Sequence, residues 1–442
     1  MIISHGTLVL FDPANQIIQD SALRIEGGVI TRLGATKDLV TAFPDDEILD
    51  ARGQLVLPGN ICSHTHFYGT FARGMALGGE PPRNFVEILE KLWWRLDKAL
   101  DLEDVRYSTL PALVDAIRNG TTCLIDHHGS PNAIEGSLDV IADCATQAGV
   151  RVACAYEVTD RDGPERALAG IAENVRFIRA QQATPHALLG ASFGLHASFT
   201  LSARTLERCV DAAQQAGGGF HVHVAEDMTD QADCLRKFGT RVVQRFNRAQ
   251  VLGARTIAAH CIHIDDDEMD ILRDTRTNVT HQPRSNMNNA VGTQRSLELL
   301  QHGICLGLGN DGFSNNMFAE MKAAYLAHKQ ARGDPRVMGA DQVIQVAVAN
   351  NARIASLFWL QSLGQLAPGA AADIVLADYH PPTPLTPGNF PWHVIFGLDG
   401  AHVTTTICNG KLLMKDRMLL TLDDQEIAAK AREHAQAVWA RM

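Results

Sequence analysis

Between residues 59 and 362, short apolar runs alternate with amphipathic helical stretches, and this rhythm restricts the fold more than any other property of the chain. An apolar run at 54–59 leads into a first strand near His64. Further strand-like runs lie at 121–126, 151–156, 188–196, 219–225, 256–260, 278–281 and 303–309. Helical stretches at 84–100, 104–119, 141–148 and 163–181 separate the early ones. Strands joined through helices pair in parallel, because each helix carries the chain back along the sheet. About eight such units over roughly 300 residues predict an α/β fold of the (β/α)8 TIM-barrel type.

Strand texture brackets the barrel at both ends. Residues 1–58 carry short runs such as Thr7-Leu8-Val9-Leu10, with turns at Asp12-Pro13 and Gly27-Gly28. After residue 362 similar runs return at 369–378 and 402–414, with a tight-turn signal at Asn409-Gly410. Neither piece alone is large enough to bury a core. The expected organisation is a small β-sandwich domain from residues 1–58 plus 363–442, ending in an amphipathic helix, around a barrel domain of residues 59–362.

Composition narrows the function classes. Hydrophobic residues make up 46% and charged residues 20%, enough for a large core. The net charge of −11 and the absence of any basic run argue against nucleic acid as a partner. The nine cysteines form no Cys-x-x-Cys pair, the pattern of a reduced intracellular protein. No secretory leader is recognisable and no uncharged apolar stretch would span a bilayer. A cytoplasmic protein with no membrane partner is expected.

In a barrel, chemistry gathers where strands end. The first strand ends at His64 and His66, the second at Asp126-His127-His128, the fourth at His196, and the fifth at His221-Val-His223 followed by Glu226. The sixth ends at His260, the seventh near Arg284-Ser-Asn286, and the eighth at Asp311. Any one of these is ordinarily a satisfied histidine or a capping aspartate; random placement of 18 histidines does not put them at successive strand ends. His64, His66, His223 and Asp311 form a three-nitrogen, one-oxygen set suited to one divalent ion, Zn²⁺ before Fe²⁺, with a position left open for water. Such an ion lowers the pKa of its water from about 15.7 to around 7. His221 and His223 share one face of their strand; His223 is preferred because it lies nearer the strand's C-terminal end. His196 is expected to contact substrate, and its strand holds no lysine to bridge a second metal. Arg73, His128 and Arg284 are further expected substrate contacts. His127 is expected to face away, Trp93 and Trp94 to be core or pocket wall, and Asn286 to shape its loop.

These residues resemble the amidohydrolase superfamily, in its cytosine-, guanine- and triazine-processing branch. Pro58-Gly59 before His64-Thr-His66, His223-Val-Ala-Glu226, Ala259-His260-Cys261, Ser285-Asn286, Leu308-Gly-Asn-Asp311-Gly312 and Gly369-Ala-Ala-Ala-Asp373 follow the family order across almost the whole chain. Cys62-Ser-His-Thr-His-Phe-Tyr68, Leu92-Trp-Trp-Arg-Leu-Asp97, Ile125-Asp-His-His128 and Arg284-Ser-Asn-Met-Asn-Asn289 are similar to SsnA-type aminohydrolases. The resemblance implies that Asp311 also takes a proton from water, that His260 orients that water, and that Glu226 protonates the ring nitrogen beside the attacked carbon. It implies hydrolytic release of ammonia from a purine-, pterin- or nucleoside-like heterocycle. The alternative within the same scaffold is dechlorination of a triazine. A non-catalytic barrel scaffold would show eroded donor residues instead. A homodimer or larger homo-oligomer is implied by analogy with the superfamily.

Overall fold

The computed structural model describes residues 1–442. Five strands open the chain: β1 (Ile2–Val9), β2 (Ile17–Glu26), β3 (Val29–Ala35), β4 (Ile48–Asp50) and β5 (Leu55–Pro58). The barrel strands are β6 (Asn60–Thr65), β7 (Thr121–His128), β8 (Arg151–Tyr156), β9 (Leu189–Ala191), β10 (Phe193–Ala197), β11 (Phe220–Val224), β12 (Ile257–His260), β13 (Asn278–His281) and β14 (Leu306–Leu308). Four strands follow: β15 (Ile374–Ala377), β16 (Val403–Cys408), β17 (Lys411–Lys415) and β18 (Met418–Leu419).

Parallel pairing runs β6-β7-β8-β9 and β10-β11-β12-β13-β14. The run at 188–196, read as one strand, changes partner midway: β9 pairs with β8 and β10 with β11. Together they fill one barrel position, so nine segments supply eight. Val158 pairs with Leu195 across the seam between β8 and β10, and Thr65 pairs with Asp311 across the seam between β6 and β14. Both seams require glycine. A Cβ on Gly194 would lie 2.2 Å from the Tyr156 carbonyl oxygen, and one on Gly309 would lie 2.6 Å from that of His64.

The outer strands form one nine-stranded sheet, β18-β17-β16-β15-β5-β1-β2-β3, with β4 on β1. The two ends of the chain join where β15 lies antiparallel to β5, Ile374 opposite Pro58. The sheet curls until the Gly27-Gly28 turn meets the Asn409-Gly410 turn; Ala372 N–H donates to the Gly28 carbonyl at 2.9 Å. Ile3, Leu8, Leu23, Ile30, Val56, Ile374 and Ile407 fill its core.

Several predicted helices extend beyond their sequence bounds. The stretch at 84–100 begins at an Asn84 cap, whose side chain accepts from Glu87 N–H at 3.0 Å. Its middle, Leu89–Trp93, is a π-turn, which re-aims Trp93 toward the barrel mouth. The last helix, Asp424–Arg441, packs along Leu102–Arg118, with His434 stacked on Tyr107. All nine cysteines are free and buried. No helix is long and apolar enough to cross a membrane.

Arg151, at the start of β8, fastens barrel to sheet. Its Nε donates to Asp373 at 2.9 Å and its Nη2 to Asn409 at 3.0 Å. Both charged groups are buried, so removing one strands the other. Arg151→Met is expected to destabilise the fold by about 3–5 kcal/mol, measured by chemical denaturation; a loss well below 1 kcal/mol would show that the pair is not structural.

Candidate active site

Three imidazoles and one carboxylate converge at the C-terminal ends of β6, β11 and β14. His66 Nε2 lies 3.2 Å from His223 Nε2 and 3.0 Å from Asp311 Oδ1. His64 Nε2 lies 3.5 Å from the same oxygen and has no hydrogen-bond partner. A tetrahedral ion with ligand bonds of about 2.0–2.1 Å holds its ligands about 3.3 Å apart. These three separations fall at that spacing, so the residues fit a divalent ion.

The rings are also held the right way round. His64 Nδ1 is 2.8 Å from His221 Nε2. His66 Nδ1 donates to the His127 carbonyl at 2.5 Å, and His223 Nδ1 to the His196 carbonyl at 2.9 Å. With every Nδ1 occupied, each Nε2 lone pair faces the shared centre. Asp311 Oδ2 accepts from Ser285 Oγ at 2.5 Å, leaving Oδ1 toward the histidines. Burial favours the neutral acid, but contacts from His64 and His66 outweigh it and hold Asp311 well below the usual carboxylate range.

Two further groups flank the donors. Glu226 follows β11, and its Oε2 lies 3.5 Å from His260 Nε2. Burial, reinforced by the Asp311 charge, pushes Glu226 well above the usual carboxylate range, which favours its protonated form. Burial takes His260 down to about 4, and its Nδ1 is 3.1 Å from Asn286 Oδ1. Ala225, His260, Cys261 and Asp311 all have φ between 46° and 71°. Non-glycine residues held there cost on the order of 1 kcal/mol or more each, and they cluster at this one end of the barrel.

A cleft opens from this centre. Phe85, Trp93, Trp94 and Phe199 give it flat apolar walls, and Asp97, Glu157, Arg161, His196 and Asn289 supply polar groups.

The profile of the amidohydrolase family matches residues 55–413. The chain belongs to that family. This amidohydrolase is 32% identical to a 5'-deoxyadenosine deaminase of Methanosarcina mazei, over 100% of this chain and 99% of that one. It is 29% identical to a 5-methylthioadenosine/S-adenosylhomocysteine deaminase of Pelotomaculum thermopropionicum, over 98% of each. Its fold matches an adenosine deaminase from Xanthomonas campestris with bound zinc, with a TM-score of 0.88 at 23% identity, covering 99% of this chain and 98% of that one. It also matches an atrazine chlorohydrolase from Arthrobacter aurescens complexed with zinc, with a TM-score of 0.82 at 19% identity, covering 98% and 99%. The family is metal-dependent, and the histidine–aspartate group of this amidohydrolase suits that dependence.

His64, His66, His223, His260, Glu226 and Asp311 are brought together, and His196 lines the cleft. Arg73, His128 and Arg284, expected as contacts, do not line this cleft. The Arg73 side chain is 55% exposed and lies 3.7 Å from Asp115, because the turn after β6 directs it outward. His128 is buried and spends Nε2 on Ser130 at 2.9 Å. Arg284 is consumed by an ion pair with Glu320 and by Ser314. His127 is corrected: it faces inward, stacked on His221 at 4.4 Å beneath the donors. Asn286 does more than shape its loop, since it holds His260. Glu157, Asp97, Arg161 and Asn289 were missed. Glu157 was legible in principle, as the polar residue closing β8; Asp97 and Arg161 lie far apart in sequence and meet only in the fold.

The donor arrangement predicts one divalent ion per chain. Stripping with a chelator and reloading, followed by elemental analysis, should give near-unit occupancy for the wild type and a large loss for His66→Ala. Full occupancy in a His64→Ala/His66→Ala double variant would count against the site.

Proposed function

We propose that this amidohydrolase is a zinc-dependent hydrolytic deaminase of amino-substituted N-heterocycles. Adenine nucleosides without a 5'-phosphate are its first candidate substrates. The observation that carries the reading is the pairing of the His64–His66–His223–Asp311 donor set with a buried Glu226 whose pKa is raised, in the same cleft. Zinc suits three imidazole nitrogens and one carboxylate oxygen with a position left open. When bound, the ion acidifies water so that a nucleophile is available near neutral pH.

The chain's own groups do the rest. Asp311 is kept ionised and is the acceptor for the proton that water gives up. Glu226 faces it across the cleft and donates to the ring nitrogen beside the attacked carbon. His260, neutral and tied to Asn286, orients water between them. The proton held by Asp311 then serves the departing amine. Two carboxyl groups in opposite protonation states can divide this work, as general acid–base catalysis requires.

The substrate class has two supports. Relatives of about 30% identity over their full length are named as deaminases of 5'-deoxyadenosine, methylthioadenosine and adenosylhomocysteine. The one arginine lining the cleft, Arg161, is already paired with Asp97 at 2.8 Å, so no free cation waits for a phosphate. Triazine dechlorination would use the same donors, but chloride leaves without a proton, whereas the departing amine takes the one that Asp311 holds.

Ammonia release from 5'-deoxyadenosine, methylthioadenosine and adenosine, assayed beside chloride release from atrazine, tests the class. Chloride without ammonia would transfer the assignment to the alternative. Glu226→Gln is expected to lower kcat by about 10²–10⁴-fold with metal content unchanged. Asp311→Asn is expected to lose activity altogether; full activity in that variant would sink the mechanism. Because Glu226 acts in its protonated form and its pKa is raised, kcat/KM should fall only as pH rises past that raised pKa, well above the usual carboxylate range. In Glu226→Gln this alkaline decline should disappear from the residual rate.

A further inference from the structure

Glu157 is the first residue after β8, anchored by its N–H to the His128 carbonyl at 2.8 Å. It is only 3% exposed. Its Oε1 lies 3.2 Å from His66 Nδ1 and 3.4 Å from His127 Nδ1. Neither ring nitrogen of His127 has a hydrogen-bond partner, which makes this carboxylate the nearest charge to that ring.

The three histidines of the donor set differ in what stands behind them. His64 is backed by a neutral imidazole and His223 by a peptide carbonyl. His66 alone has both a carbonyl and a carboxylate at its Nδ1. A carboxylate behind a ligating imidazole fixes the tautomer and raises the basicity of the far nitrogen. Charge balance points the same way. A divalent ion with one carboxylate ligand leaves one positive charge in a buried site, and an uncompensated buried charge is costly. Glu157 is the adjacent group that brings the sum to zero.

We propose that Glu157 is a positioning residue of the metal centre, setting His66 as its most basic donor and neutralising the occupied site. This rests on reading His64, His66, His223 and Asp311 as the ligands. It assigns a role to the carboxylate closing β8, exerted through His66.

The test is zinc affinity, measured by competition with a chromophoric chelator on the full chain, with calorimetric melting of the metal-free protein alongside. Glu157→Gln is expected to weaken zinc binding by about 10–100-fold while the metal-free protein melts near the wild-type temperature. Glu157→Asp, which keeps the charge on a shorter arm, should recover part of that loss and stands in if the glutamine variant does not fold. Asp97→Asn, the same charge change elsewhere in the cleft, should leave zinc affinity at the wild-type value. Unchanged zinc affinity in Glu157→Gln overturns the inference alone, whether the variant then shows a higher KM or a lower melting temperature. A wild-type chain that takes up no zinc overturns the ligand reading and the inference together.

Discussion

The closure of the barrel between β6 and β14 is the interaction on which the site depends. His66 N–H donates to the Asp311 carbonyl at 3.0 Å, and the N–H groups of Asn310 and Asp311 reach the His64 carbonyl at 3.0 and 3.1 Å. The bonds that shut the barrel are therefore made by the residues whose side chains converge on the donor centre. Fold and site are one constraint here: a strand that slipped by one residue would turn His64 and His66 to the wrong face. Gly309 makes the closure possible, since any side chain there would collide with the backbone of His64.

Beneath and beside that seam the side chains are arranged in tiers. His127 and His221 form a stacked floor, and His64, His66 and His223 stand above it with their Nδ1 atoms committed. The short helix after β13 carries Ser285 and Asn286, which hold Asp311 and His260 from the other side. Rigid support of this kind has a thermodynamic purpose. Donors already aimed at a common point lose little freedom when an ion or a substrate arrives.

Much of this was legible in the sequence because alternation is a strong signal. Strand-ending histidines at 64, 66, 223 and 260, with Asp311, were readable one strand at a time, and so was the parallel barrel. Contacts that depend on side-chain direction beyond a strand end were not. Arg73 and Arg284 have the right charge in the right loops, yet each is captured by a nearer acid, Asp115 or Glu320. His127 was misjudged because a strand-end pattern does not show that its ring turns in against His221 and His223. The Asp97–Arg161 pair joins a helix to a distant loop, and no local pattern announces it.

The union of β5 with β15 carries a consequence for how the chain is made. Leu55 pairs with Ala377, so β5 leaves the ribosome some 320 residues before its neighbour exists. Throughout synthesis of the barrel, the edge of β5 that β15 will cover stays open, an apolar strand of the kind that recruits wrong partners. The same pairing locks the entry and exit of the barrel to each other. Maturation thus ends with a clasp rather than a collapse, and nascent chains stalled before residue 374 would display a sticky, unfinished edge to the chaperones around them.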